Sequence, residues 1–531
     1  MKIRKPKKSK FDLSYHYQSS TQFGTLVPFM VKECVPGDTF NVSTQSFVRL
    51  APMISPIFGH VSVKQEYFFV PMRLLWKGFS DAITGGVDGM ANADFPTFTG
   101  GDFPAGANSA GKYRGSLADY FGIPENVNDD CEVNALPFIA YQKIYYDWYV
   151  NENFEAKNTD DMFNDTCYLN NASELSLKSA NILQIRQRNL RKDYFTASLP
   201  WVQRGPQVTL DFNPEITFSA DGKPSRIVDV DSDYKSADMA YTGTSMDAID
   251  LTVTPDGNLN VPQRGKQNVA VDNSENLSLS SSLISINDLR RSTAVQRWLE
   301  RNARAGSRYI EQILSHFGVR TPDYRLQRSE FIGSSSQVVQ VSEVLQTSQS
   351  TDKSALGEYA GHGIAAGIGR NTKYYCNEFG YIIGIFSIVP EVCYSQGIDR
   401  QFLHNSRFDF YFPEFANLGE QPVYQAEIWA KSADPKKAFG YNPRYQEYRT
   451  SNNMVTGDLR TGGMSSFVLQ RKFDSQPHLN KDFVRVNPTE YDNIFAVSSE
   501  VAGQQVHHFL LDLYVSCIAK RPMPRYALPH I

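Results

Sequence analysis

The chain has 531 residues, 53 Lys+Arg against 57 Asp+Glu, and 41% apolar side chains. It contains no continuous apolar run near the roughly 18–20 residues needed to span a bilayer, and too much apolar and aromatic content for a disordered chain. A net charge of −4 is close to neutral at this length, so no global field announces a nucleic-acid or membrane partner, and local charge has to be read instead.

The opening residues Lys2, Arg4, Lys5, Lys7, Lys8 and Lys10 put six positive charges in ten positions with no acid among them. No apolar stretch follows them, so the segment does not read as a secretory signal. Pro6 and the lack of periodicity predict an unpacked basic arm over 1–20, suited to phosphate contact. Tyr15 and Tyr17 follow as candidate stacking rings.

From Phe40 the pattern becomes strand-like. Phe40, Val42 and Thr44, then Val61, Val63, Gln65, Tyr67 and Phe69, repeat at period 2, which predicts half-buried strands. With 13% aromatic residues, 35 Gly and 27 Pro, the composition favours a mainly β fold of strands joined by turns. Between Gly85 and Gly115 the chain turns Gly-, Ala- and Pro-rich, and 80–135 is expected to be a loop insertion on the surface. Within it, Gly106 to Lys112 spells most of a phosphate loop, but Tyr113 stands where the magnesium-ligating hydroxyl belongs.

Phe138, Tyr141, Tyr145 and Trp148 recur at helical spacing and predict one ring-bearing face of a helix running to about Val150, a stripe that usually packs in a core and alternatively offers a sugar-stacking platform. Residues 206–284 hold twelve acids and five bases. This composition predicts an exposed acidic insertion, with a hairpin turn at Pro255-Asp256-Gly257. Two helices are expected on either side of Ala305-Gly306, decorated by Arg297, Arg301, Arg304 and Arg308 among others. Tyr381–Val389 is apolar at nearly every position, as expected of a strand covered on both faces, while 507–520 alternates cleanly. The first and last strands are therefore expected to share one discontinuous sheet system over 21–531.

Sites for small-molecule chemistry are not evident. The six cysteines are single and scattered, without a C-x-x-C pair, which predicts reduced thiols and neither disulfide nor zinc. The nine histidines form no metal-binding spacing, and no cofactor motif is present. Glu414, Glu420 and Glu427 lie among aromatics. Paired carboxylates in such a setting could serve a carbohydrate-active β-sandwich enzyme, the alternative functional reading.

A set of phrases decides between the readings. Val35-Pro-Gly-Asp-Thr-Phe40, Tyr67-Phe-Phe-Val-Pro71, Leu199-Pro-Trp201, Ile286-Asn-Asp-Leu-Arg290, His316-Phe-Gly-Val319, Leu418-Gly-Glu-Gln421, Phe439-Gly-Tyr441 and Arg521-Pro-Met-Pro524 occur in order. Together they make the chain resemble the major capsid proteins of Microviridae, closest to the gokushovirus group. The resemblance implies an eight-stranded antiparallel jelly roll with long inter-strand insertions containing short helices. It also implies self-assembly into an icosahedral virion shell around a circular single-stranded DNA genome, in a bacterial host cytoplasm. An internal scaffolding protein, a small DNA-condensing protein, a DNA pilot protein and a host surface receptor are the implied partners, with 206–284 as the candidate threefold protrusion for host attachment. On this reading the arm residues Lys2–Lys10 contact DNA, and Tyr141, Tyr145, Trp148, Arg297, Arg301, Arg304 and Arg308 are candidates for subunit interfaces, where aromatic and Arg side chains are enriched.

Overall fold

The structure is a computed structural model. It describes residues 7–86, 94–103, 114–125, 127–155, 169, 174–206, 286–305, 309–320, 322–345, 359–498, 500–501 and 504–526, together with six short strands inside 215–280. The chain divides into two compact units, Gly205–Leu299 and the remainder.

The larger unit is built on antiparallel strands: β1 (Ser9–Asp12), β2 (Tyr15–Thr21), β3 (Val27–Cys34), β4 (Thr39–Leu50), β5 (Val61–Pro71), β6 (Glu330–Val338), β7 (Gln340–Leu345), β8 (Tyr359–Ile368), β9 (Thr372–Tyr375), β10 (Gly380–Pro390) and β11 (Phe509–Arg521). They form two sheets. In one, β11 is flanked by β1 and β2 on one side and β4 on the other, and β4 continues to β8 and β7, with β9 also on β4. In the other the order is β6-β5-β10-β3. The last strand of the chain thus lies between the first two and β4, with Val515 opposite both Tyr15 and Thr44.

The period-2 residues of β4 and β11 point inward. Phe40, Val42 and Val48 meet Leu511, Leu513, Val515 and Cys517 in a core shared with Val63 and Tyr67 of the second sheet. Thr44 Oγ1 and Tyr67 OH, 2.6 Å apart, join the sheets across it. Each such fully buried aliphatic or aromatic side chain stabilises the fold by about 1.5–3 kcal/mol. At the β3–β4 corner Gly37 has φ +94°, a left-handed conformation that a side chain would strain.

β10 is buried at every position, and its two faces have different partners. Ile382, Phe386 and Ile388 face the inter-sheet core. Tyr381, Ile383 and Ile385 face a second aromatic core made by the segment between β5 and β6. Within the stretch Gly85–Gly115 read as a surface loop, the described residues 94–103 contribute to that second core instead. Phe98 and Phe103 are buried there against Phe138, at ring separations of 5.6 and 6.1 Å. Three aromatic residues collapsing together outweigh the loop-like composition around them.

Helix α1 (Leu136–Ile144) ends earlier than its spacing predicted and gives way to a π-helical turn over Tyr145–Tyr149. It is buried nearly all round. The Tyr141 hydroxyl donates to Leu26 O and accepts from the Arg186 amide. Helices α2 (Ile286–Ala305) and α3 (Tyr309–Phe317) stand on either side of the predicted break. In the smaller unit, Thr252–Val253 pairs with Leu259–Asn260, consistent with the turn read at Pro255–Gly257. Cys34, Cys376 and Cys517 are buried free thiols, whereas Cys131 is exposed. Cys167 and the phosphate-loop-like stretch from Gly106 lie outside the described residues.

One buried group makes stability depend on pH. His508 stacks on Phe495 at 4.0 Å, and its Nε2 donates to Val497 O at 2.7 Å. Burial pushes its pKa below the ordinary 6.5. Below that value the unfolded ring takes up a proton that the folded ring resists. Stability should therefore be fully present above pH 6.5 and fall as the pH drops toward the folded-state pKa, by at most about 1.4 kcal/mol per pH unit. Thermal melts between pH 7.5 and 5.5 should show a shallower decline in His508→Gln; equal slopes would exclude this origin.

Candidate assembly surface

Beyond β10 the chain makes three single-turn 3₁₀ helices, Arg400–Leu403, Arg407–Asp409 and Pro413–Phe415. Local polar caps set them: Asp399 accepts from the Gln401 amide, and Ser406 and Asp409 cap each other's backbone. Pro413 prevents the turns from merging into one helix. The aromatic residues between these caps cannot all be turned inward by segments this short. Phe402 is 73% exposed, and Phe408, Phe410, Tyr411, Phe412, Leu418 and nearby Tyr448 are also exposed. At about 200 Å² per aromatic side chain they present roughly 700 Å² between them, comparable with the ~800 Å² that one partner contributes to a stable protein interface.

The exposed face is held from below by a buried ion pair. Arg400 and Glu427, whose side chains are 9% and 2% exposed, meet at 2.7 Å. Glu427 also accepts from the Tyr194 hydroxyl at 2.8 Å and the Tyr424 amide at 2.7 Å, while Arg400 donates to Pro422 O. Burial pushes the Glu427 carboxyl above the ordinary carboxylate range, and the Arg400 charge opposes that shift. Gly397 passes so close to this site that a Cβ there would sit 1.8 Å from Glu427 O. Tyr445, at φ +63° in the left-handed region, bridges Phe410 O and the Phe412 amide through its hydroxyl. Strain of this kind persists only where surrounding contacts enforce it.

The three carboxylates weighed for sugar chemistry are dispersed among structural roles. Glu414 is exposed on its turn, Glu420 pairs with Arg304, and Glu427 is consumed by the anchor described above.

The interface candidates read from sequence fare unevenly. Tyr141 and Tyr145 are at most 1% exposed, so they belong to the core of a single chain and have no surface to offer another. Trp148 is half-buried, its Nε1 donating to Ser329 O. Arg297, Arg301 and Arg304 are exposed; Arg308 lies outside the described residues.

The arm is also shorter than predicted. Lys2, Arg4 and Lys5 lie outside the described residues, but Ser9–Asp12 and Tyr15–Thr21 are strands paired with β11. Tyr15 and Tyr17 cannot serve as free stacking platforms, because their rings pack on the core and their hydroxyls donate to Phe29 O and Tyr120 O. Lys7, Lys8 and Lys10 are exposed.

The exposed aromatic face was missed in the sequence. Its signal was the run Arg407-Phe-Asp-Phe-Tyr-Phe-Pro-Glu-Phe415, five aromatics in nine residues around a proline at neither helical nor strand spacing.

Comparison with known proteins agrees with a structural role. The family model described as capsid protein (F protein) matches residues 2–531. The chain is 32% identical to the capsid protein VP1 of Chlamydia phage 1, over 98% of this chain and 95% of that protein. It is 31% identical to the capsid protein VP1 of Bdellovibrio phage phiMH2K and 28% identical to that of Spiroplasma virus 4, at the same coverages.

Proposed function

The chain belongs to the capsid protein (F protein) family of the Microviridae, and from that premise we propose that it forms an icosahedral virion shell around a circular single-stranded DNA genome. It is a structural protein rather than an enzyme, as its relatives are. We propose an eight-stranded jelly roll for its core. Counting the eight long strands β2, β3, β4, β5, β6, β8, β10 and β11 from one to eight, one sheet runs 1-8-3-6 and the other 2-7-4-5. Such a double Greek key supports the jelly-roll reading. The design suits a shell, because insertions at the sheet ends can lengthen without disturbing the core. Here they occupy 72–329 and 391–508.

The observation that carries assembly is the exposed aromatic face of residues 402–418, apolar enough for a partner and fixed by the Arg400–Glu427 pair. In this reading the insertion 206–284 projects outward and engages a host surface receptor, while the basic arm meets the genome. Assembly would take place in the host cytoplasm with an internal scaffolding protein, a DNA-condensing protein and a DNA pilot protein.

Negative-stain microscopy of purified protein should show closed megadalton particles. Particles in which 206–284 is replaced by a short linker should still form but no longer adsorb to host cells. A small monodisperse species under assembly conditions would refute the shell, and undiminished adsorption would refute the role of the insertion.

A further inference from the structure

A cross-strand row crosses the solvent face of the first sheet: Lys10 on β1, Lys520 on β11, Thr39 on β4 and Tyr375 on β9, each directly opposite the next. At about 4.8 Å between adjacent strands it spans about 14 Å. Lys10, Lys520 and Tyr375 are all exposed. Like charges directly opposite each other on a sheet destabilise it, so the Lys10–Lys520 pairing is a cost that the fold does not need.

A single carboxylate among the described residues lies close enough to act on it, and only on Lys10. The next row holds Asp12, Ile518, Asn41 and Lys373. Asp12, its one acid, is held below the usual carboxyl range mainly by the Ser14 hydroxyl and amide and, to a lesser degree, by the Lys10 charge. Among the described residues, this part of the sheet holds the ion pair of Arg521 with Asp38 and a contact of His16 with Asp512 at 3.7 Å, and Lys10, Lys373 and Lys520 are in neither. At the far end of the row Tyr375 is 51% exposed, with the Lys8 ammonium 5.0 Å from its ring centroid. Lys8 also donates to Gly37 O, which pins the start of the described chain beside this face. The basic residues Lys2, Arg4, Lys5 and Lys7 immediately precede it in the sequence.

Lys520, which has no carboxylate partner among the described residues, and Lys10, which shares one carboxylate with Ser14, stand in register with a half-exposed aromatic ring and match one ligand chemistry. Single-stranded nucleic acid offers phosphates to the first and a base face to the second. We infer that this row is a binding site for single-stranded DNA, with backbone phosphates on Lys10 and Lys520 and a base stacked on Tyr375. The inference rests on the reading that the shell encloses a genome, and it locates the contact on a rigid sheet face rather than in the arm alone.

The test measures binding of the full-length chain to a labelled oligothymidylate by fluorescence anisotropy across a salt series. The probe is single-stranded and has no secondary structure. With each phosphate contact contributing about 0.7 to the slope of log K against log salt for single strands, Lys10→Ser with Lys520→Ser should lower that slope by about 1.4. The pair Lys436→Ser with Lys437→Ser, which removes the same charge from an exposed segment elsewhere, should leave it unchanged. Tyr375→Ser should weaken oligothymidylate binding about tenfold while leaving binding of inorganic polyphosphate, which has no bases, intact.

An unchanged slope in the Lys10/Lys520 variant, or equal falls in both lysine pairs, overturns the site. Equal loss of both probes in Tyr375→Ser overturns the stacking contact. A wild-type chain with no affinity for the oligonucleotide would instead refute the genome-contact reading itself. Removing a like-charge pair should not lower the melting temperature, which separates loss of binding from loss of fold.

Discussion

Replacing Phe402, Phe408 and Leu418 together with serine should leave a chain that melts as cooperatively as the wild type and no longer forms particles. All three side chains are more than half exposed, so within one chain each change costs no more than about 0.5 kcal/mol. At an interface the same rings would be central anchors, where truncation costs about 2 kcal/mol or more each. A shell repeats every contact many times, so even the lower figure abolishes closure. Near-UV circular dichroism confirms the fold of the variant, and particle yield by sedimentation gives the result. Wild-type yield would show that the aromatic face is not buried between subunits, and that assembly uses another surface.

Glu427→Ala should have the second large effect, and by a different route. It strands the Arg400 guanidinium in a site where its side chain is 9% exposed, and breaking a buried pair in this way costs about 3–5 kcal/mol. The Tyr194 hydroxyl and the Tyr424 amide lose their acceptor as well. The damage should be local. Limited proteolysis should open 398–418 while hydrogen exchange in β4, β10 and β11 stays slow, because those strands keep their own core. Assembly should fail along with the segment. Substituting both partners, Arg400→Met with Glu427→Leu, removes the stranded charge and should restore much of the protease resistance. If Glu427→Ala leaves 398–418 as resistant as in the wild type, the pair is not what holds the aromatic face.

The two predictions separate surface from support, and they correspond to two kinds of information in the chain. Strand identity was legible because it depends on local alternation. The period-2 run in β5, the two-sided apolar run of β10 and the alternation of β11 each carry their meaning within about ten residues. Family membership was legible for a similar reason, since short phrases such as Val35–Phe40 and Arg521–Pro524 keep their order whatever the insertions between them do.

The direction in which a ring points was legible only where rings recur at helical spacing, as in the stripe through Tyr141 and Tyr145. Tyr141 and Tyr145 and the residues Phe408–Phe412 are equally aromatic stretches, yet the first pair is buried and the second run exposed. What separates them is whether another part of the chain arrives to cover them. Phe98, Phe103 and Leu26 do so for α1, whereas the capped turns after β10 keep their rings outward. Nor could composition reveal that Lys10 stands opposite Lys520, because that register is set by the whole path of the chain bringing its two ends into one sheet. Local pattern was enough to place the long alternating and two-sided apolar strands and the family, but not the short strands Ser9–Asp12 and Tyr15–Thr21 at the start of the chain. Which of the irregularly spaced aromatic residues stay on the surface, and which charges become neighbours, emerged from the folded chain alone, because burial and register arise from contacts between residues far apart in sequence.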